Sequence, residues 1–252
     1  MEIIDLSLTA TLIVVAAIMA ASIISSVTGM AGGILMFAAM NIFIPMRPLI
    51  AIHGVVQVFN NGARTWYLRR HLRAAMCLPF AFGALAGAAL TTLVIARYVG
   101  ELLPLLLLAM LIFYTLFKPK RLPHLKIKDR NFIWVGMATG SLGILAGAVD
   151  PLLAAFFLRD DLTKEEVVAN KSMMQLITHL TKVPAFIFLG FSFVENAGLI
   201  ALFSLAAVLA TRLGVHLLTK INNKLFFTLM WWALFMAGMR VVYQLYALLV
   251  VN

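Results

Sequence analysis

Apolar residues fall along the chain in runs, most of about twenty, separated by short polar stretches. The runs are 8–28, 34–44, 49–68, 75–96, 102–117, 132–149, 151–158, 167–189, 197–219 and 225–250. A helix needs about 20 residues to cross roughly 30 Å of hydrocarbon, and backbone groups in lipid must be satisfied within their own segment. The pattern therefore predicts an all-α, polytopic transmembrane bundle. Runs 34–44 and 151–158 are too short to span. Each follows a glycine-rich stretch, Gly29-Met30-Ala31-Gly32-Gly33 in one case and Gly143-Ile144-Leu145-Ala146-Gly147 in the other. Glycine tolerates the backbone angles that end a helix. Residues 8–44 and 132–158 accordingly read as paired broken or re-entrant elements, each returning to the side it entered.

The two halves can be laid over one another. Gly29 and Gly33 fall on Gly143 and Gly147, and Phe43 on Phe157; after a short insertion, Ala51 falls on Ala169, Gln57 on Gln175 and Arg64 on Lys182. This divides the chain into a first repeat, 1–117, a basic linker, 118–130, and a second repeat, 131–252. Five segments per repeat is an odd number, so the second begins on the opposite face from the first, the inverted arrangement of many secondary transporters. Segments 69–73, 118–130, 159–166 and 220–224 hold thirteen of the twenty Lys and Arg residues, whereas the opposite loops hold only Arg47 and Arg97. Basic loops stay in the cytoplasm. Both termini are thus expected outside, with the protein in an inner membrane.

Inside the runs the polar residues are ordered. His53, Gln57, Asn60, Asn61 and Arg64 follow the spacing i, i+4, i+7, i+8, i+11, and Lys171, Gln175, Thr178, His179 and Lys182 repeat it. Each set occupies one helical face. Ionisable groups within spans face a bundle interior or an aqueous path, so the two stripes predict a shared central site with Gln57 and Gln175 nearest its middle. Other readings stand beside this one. Arg64 and Lys171 are close enough to segment ends to snorkel, and the amides serve equally as interhelical glue. Helix N-termini after the glycine breaks offer N–H groups and a positive dipole end to an anion. Gly29, Gly32, Gly33, Gly143 and Gly147 are therefore candidate site residues, with Ser25, Ser26, Thr28, Thr139 and Ser141 as nearby hydroxyls. The alternative is tight helix packing, for which Gly83/Gly87 and Gly136/Gly140 also have the spacing. Asp150, before Pro151, reads as a helix cap, a lysine partner or a proton carrier, capping being favoured. His53, His179 and Asp150 are the candidates for proton coupling.

Composition narrows the class further. Hydrophobic residues make up 63% and charged residues 12% of 252, with mean hydropathy +1.01, which leaves no polar skin for a soluble domain. The net charge of +10 resides in loops and is read as orientation, with no nucleic-acid partner. No basic residue precedes the first apolar run, unlike a cleaved signal peptide. A single cysteine, Cys77, permits no intramolecular disulfide or cysteine metal cluster. No enzyme motif, metal set or cofactor site stands out. Trp134, Trp231 and Trp232 read as interface anchors.

The Gly29–Gly33 break, the short run after it, and the start Pro48-Leu49-Ile50-Ala51-Ile52-His53, echoed by Val167-Val168-Ala169-Asn170-Lys171, resemble the TauE/SafE group of sulfite exporters and toluene-sulfonate-uptake permeases over essentially the whole chain. The resemblance implies an inner-membrane carrier of small sulfur-containing or organic anions such as sulfite, sulfonates or sulfoacetate. The chain departs from the family pattern in two places. It lacks the proline after the first glycine motif and the double glycine in the second. The expectation is a secondary transporter working by alternating access, with an anion channel or a non-transporting membrane scaffold as alternatives. The anion, the direction, the choice of H+ or Na+ as coupling ion, a homodimeric state and the role of Arg240 are left open.

Overall fold

The computed structural model describes residues 4, 6–93, 102–117, 127–145, 150–159, 161–188 and 191–250. Gly147, Arg97 and most of the 118–130 linker lie outside these. Ten α-helices follow one another among the described residues: α1 (Leu8–Thr28), α2 (Gly32–Met40), α3 (Met46–Tyr67), α4 (Ala74–Leu93), α5 (Leu102–Phe117), α6 (Phe132–Leu145), α7 (Asp150–Phe157), α8 (Lys164–Phe188), α9 (Ala197–Lys220) and α10 (Asn223–Val250). No strand occurs among them. Four helices, α1, α4, α9 and α10, are long and apolar enough to cross a membrane. α3 and α8 are as long, but their polar stripes lower their mean hydropathy.

The boundaries depart from the hydrophobic runs where local chemistry intervenes. α2 starts at Gly32, so the break is confined to 29–31: Gly29 ends α1 with φ 71° and Ala31 precedes α2 with φ 70°. α8 starts at Lys164, before its apolar run, because Thr163 and Glu166 form a reciprocal capping box. Thr163 Oγ1 accepts from Glu166 N–H at 3.2 Å while Glu166 Oε2 accepts from Thr163 N–H at 2.9 Å.

Both broken elements return to the end they left. Phe43 and Ile44, just past α2, share a cluster with Ile4, Leu6, Phe191 and Phe193, and Ile4 N–H donates to Asn196 Oδ1 at 3.2 Å. Phe157, the last residue of α7, lies 5.9 Å from Phe132, the first of α6. At the opposite end from Ile4 the basic segments meet. Arg73 pairs with Glu166 at 2.7 Å, Asn170 donates to His71 O at 3.1 Å, and Lys164 donates to Leu218 O at 2.7 Å and to Ile221 O. Lys164 thus covers the carbonyls left open at the C-terminus of α9, where a cation is favoured.

The main packing contacts keep their form when helices of the two halves are exchanged. α4 packs on α6 as α9 does on α1, α3 touches α9 as α8 touches α4, and α3–α8 and α5–α10 pair with themselves. The α4–α6 contact is backbone against backbone. A Cβ on Gly83 would lie 1.9 Å from Ile133 O, one on Gly87 2.2 Å from Met137 O, one on Gly136 2.2 Å from Phe80 O and one on Gly140 2.3 Å from Ala84 O. Close approach of this kind is how membrane helices associate where no hydrophobic force separates them from lipid. Elsewhere, Trp231 turns inward and donates to Leu116 O at 3.4 Å, while Trp134 and Trp232 remain exposed. Arg212 and Arg240 lie exposed on the outer surface of α9 and α10.

Gly83→Ala should lower the melting temperature of the purified protein by about 3 °C or more, the effect of overpacking a close contact. Gly198→Ala, with no atom within 4 Å of the new carbon, should leave it unchanged.

Candidate functional site

α3 and α8 lie against each other in the middle of the bundle, and both polar stripes are buried there. Arg64 and Lys171 are each 1% exposed, so neither side chain snorkels. Long cationic side chains that do not reach the surface must find oxygens inside, and each does so differently.

Arg64 has no carboxylate within ion-pair distance among the described residues. Its guanidinium is held by neutral oxygens: Nε donates to Ser26 Oγ at 3.0 Å, Nη1 to Asn61 Oδ1 at 3.1 Å and Ser172 Oγ at 3.5 Å, and Nη2 to Asn60 Oδ1 at 3.2 Å. Thr211 of α9 adds a 2.5 Å hydrogen bond to Asn60 Oδ1. An arginine can only donate, so both asparagines must turn their oxygens toward it. Their amide nitrogens then point the other way, and both donate to Gln57 Oε1, at 3.1 and 3.2 Å. With its oxygen engaged, Gln57 presents its NH2 toward α2. The orientation of three amides is thereby dictated by one guanidinium.

The far end of this ladder is mismatched. His53 Nε2 sits 3.0 Å from Gly33 O and 3.3 Å from Gln57 Nε2. With a proton on Nε2 the ring serves the carbonyl and faces a second donor; without it, the ring accepts from Gln57 and sets a lone pair against the carbonyl. In either tautomer one of the two contacts joins like groups. A solute oxygen taking the Gln57 N–H would resolve the conflict.

Gly33 is the floor of this region. A Cβ there would fall 2.9 Å from both Gln57 Nε2 and Asp150 Oδ2, so a larger residue would displace the groups resting on it. Gly32 faces α1, where a Cβ would lie 2.2 Å from Ser25 Cβ and 2.9 Å from Ser25 Oγ. Thr28 Oγ1 serves the break itself, donating to Ile24 O at 2.8 Å or Met30 O at 2.7 Å and accepting from Met30 N–H at 3.2 Å. Asp150, first residue of α7, is buried, and no backbone N–H donates to its carboxylate among the described residues. Its partner is Lys171 Nζ, 3.6 Å from Oδ1, which also donates to Gly29 O at 2.5 Å. The favoured reading of Asp150 as a cap gives way to the lysine partner, because an ammonium is the stronger claimant on a buried carboxylate than an N–H dipole.

Along α8, the ring of His179 lies 5.9 Å from that of His53, and its Nδ1 has no hydrogen-bond partner. Lys182 is buried one turn further on, while Thr178 returns its hydroxyl to Met174 O at 2.9 Å. Gln175 is buried and makes no hydrogen bond among the described residues. The first break, the start of α7 and both stripes thus meet around Gly33, Asp150 and Gln57. One expected member stands apart: Ser141 donates to Gly87 O at 3.2 Å in the α4–α6 contact. Gly143 lies in the last described turn of α6.

Thr211 and Ser172 escaped the sequence reading. Thr211 is one of three scattered hydroxyls in the apolar α9, with Ser204 and Thr219, and Ser172 sits one place off the stripe register, so neither shows a period.

The family described as Sulfite exporter TauE/SafE matches residues 14–241. No curated protein and no solved structure matches the chain.

Replacing Arg64 by Met would leave the oxygens of Asn60 and Asn61 without their donor, at about 1–3 kcal/mol for each unsatisfied group. Thermal unfolding should drop by about 5 °C or more, against little change for Arg212→Met on the exposed face; equal effects would remove Arg64 from the role described.

Proposed function

The chain belongs to the sulfite exporter TauE/SafE family, and from that premise we propose that this membrane transporter carries a small sulfur oxyanion or organic anion, of the sulfite, sulfonate or sulfoacetate class, across an inner membrane by alternating access. One observation carries the reading. The ladder anchored on Arg64 aims the N–H groups of Gln57 at the start of α2, beside Gly33. Amide N–H groups whose protein contact, His53 Nε2, accepts from them in one tautomer only, buried among cations, are what an oxyanion needs and what a cation or apolar solute would not use.

The surroundings support it. α2 and α7 both begin at this place, and a helix N-terminus carries partial positive charge. Gln175, with no bond of its own, is available from the opposite stripe. Arg64 and Lys182 supply positive potential, while Lys171 is engaged with Asp150 and the break. The α4–α6 and α1–α9 pairs, each made of one helix from 1–117 and one from 131–252, would rock against each other about the α3–α8 contact and expose the anion to each face in turn. The exchange-symmetric packing suits that motion, with α4–α6 and α1–α9 as stiff pairs. The cluster of Arg73, Arg159, Lys164 and the Glu166 pair belongs on the cytoplasmic side, with both termini outside.

The test is flux of labelled sulfite into proteoliposomes. Gln57→Leu and Gln175→Leu should each raise KM by roughly 10- to 100-fold, the worth of a hydrogen bond to a charged partner, while eluting as monodisperse protein. Ser141→Ala, in the α4–α6 contact, should transport normally. Unchanged flux in both glutamine variants would remove the amides from the site.

A further inference from the structure

The anion reading leaves the driving ion open, and the break in α1 bears on it. A helix that ends inside the protein leaves carbonyls without intrahelical partners, and its C-terminus carries partial negative charge. At this end Thr28 Oγ1 satisfies Ile24 O or Met30 O. Gly29 O is turned away by the positive φ of its residue and is taken by Lys171 Nζ, at 2.5 Å. Across from it stands Asp150, which begins the half-helix of the other repeat. Its Oδ1 is buried, has no hydrogen-bond donor, and lies 3.6 Å from the same ammonium. One positive nitrogen, 1% exposed, therefore sits between a freed carbonyl of the first break and a carboxylate of the second.

Hard monovalent cations are held by this kind of oxygen set. In inverted-repeat carriers, unwound carbonyls and the C-terminal ends of half-helices are where a coupling sodium is coordinated. Here the oxygens converge and an ammonium fills the space. We propose that Lys171 is a tethered stand-in for a coupling cation: it occupies a sodium-type site built from Gly29 O and Asp150, makes transport independent of sodium, and hides a site that Na+ or Li+ would enter if the lysine were removed. The inference rests on the reading that the two breaks frame the transport site. An ordinary buried ion pair predicts something different. Removing one partner of such a pair strands the other and lowers stability with no preference among salts.

The experiment compares melting of purified protein in NaCl, LiCl, KCl and choline chloride at matched ionic strength. Wild type should be indifferent to the cation. Lys171→Ala should melt lower in choline and recover saturably with Na+ or Li+ by about 3 °C or more, as expected for a ligand well above its Kd. The double variant Asp150→Asn with Lys171→Ala should lose that response. A folded Lys171→Ala protein blind to Na+ and Li+ overturns the proposal, and so does a saturable sodium response in wild type. Should Lys171→Ala fold only when purified in sodium, the proposal is supported. Should it fold in no salt, wild-type flux in choline against sodium decides, and sodium dependence sinks the idea. A separate arm titrates choline sulfite against wild type. Failure there, with a sodium response in Lys171→Ala intact, counts against the anion reading alone.

Discussion

A guanidinium buried where water cannot reach it has to be answered by oxygens, and around Arg64 that demand organises the centre of the molecule. Taking a cation out of water costs several kcal/mol even after relaxation. Among the described residues no carboxylate lies within ion-pair distance to repay it. Ser26, Asn60, Asn61 and Ser172 do so instead, drawing α1, α3 and α8 together, with Thr211 of α9 on the same asparagine. Because the donor is fixed, every amide beyond it is fixed as well. The consequence reaches Gln57 and ends at His53, where the polarity can no longer be satisfied by protein alone. Structural necessity at one end of α3 thus becomes chemical readiness at the other.

The rest of the bundle separates two kinds of contact. α4 against α6 is close, glycine to carbonyl, with no room for adjustment. α1 against α9 is tight at Gly214, where a Cβ would lie 2.6 Å from Ser26 Cβ. Ser26 is also an oxygen partner of Arg64, so the tight contact and the polar core share a residue. The α3–α8 contact between these pairs is polar, and polar contacts in a low-dielectric interior can be rearranged only if each group finds a new partner. That combination, stiff flanks around a polar centre, suits the alternating-access carrier proposed above.

Much of this was legible in the letters, for identifiable reasons. The stripes on α3 and α8 could be read because one face of a helix repeats with a fixed period and ten polar residues kept to it. The breaks could be read because Gly29 and Gly33 precede a run too short to span. Other features could not. The network around Arg64 also takes in Ser172 and Thr211, neither of which keeps the stripe spacing. The bond from Lys171 to Gly29 joins positions 142 apart in sequence, and only the fold shows that a cation of one stripe serves the break in the other half of the chain. Ser141 misled because a hydroxyl near a glycine stretch looks the same whether it faces the break or the neighbouring helix. The box Thr163-Lys164-Glu165-Glu166 was present in the sequence, but the hydrophobic run starting later drew the helix boundary with it.

An anion site that contains a carboxylate needs an account of its charges. Arg64, Lys171 and Lys182 are the cations of the two stripes, and Asp150 is the acid among them. Pairing Asp150 with Lys171 cancels the one charge that would repel an anion and confines that cancellation to the α1 break. Arg64 and Lys182 then add positive potential near Gln57 and Gln175, where amide donors lie. Electrostatic attraction in a poorly screened interior acts over several ångströms, so neither cation has to touch the solute. In the proposed transporter, hydrogen bonds from the amides would then choose among anions by shape, the charges having already favoured anions.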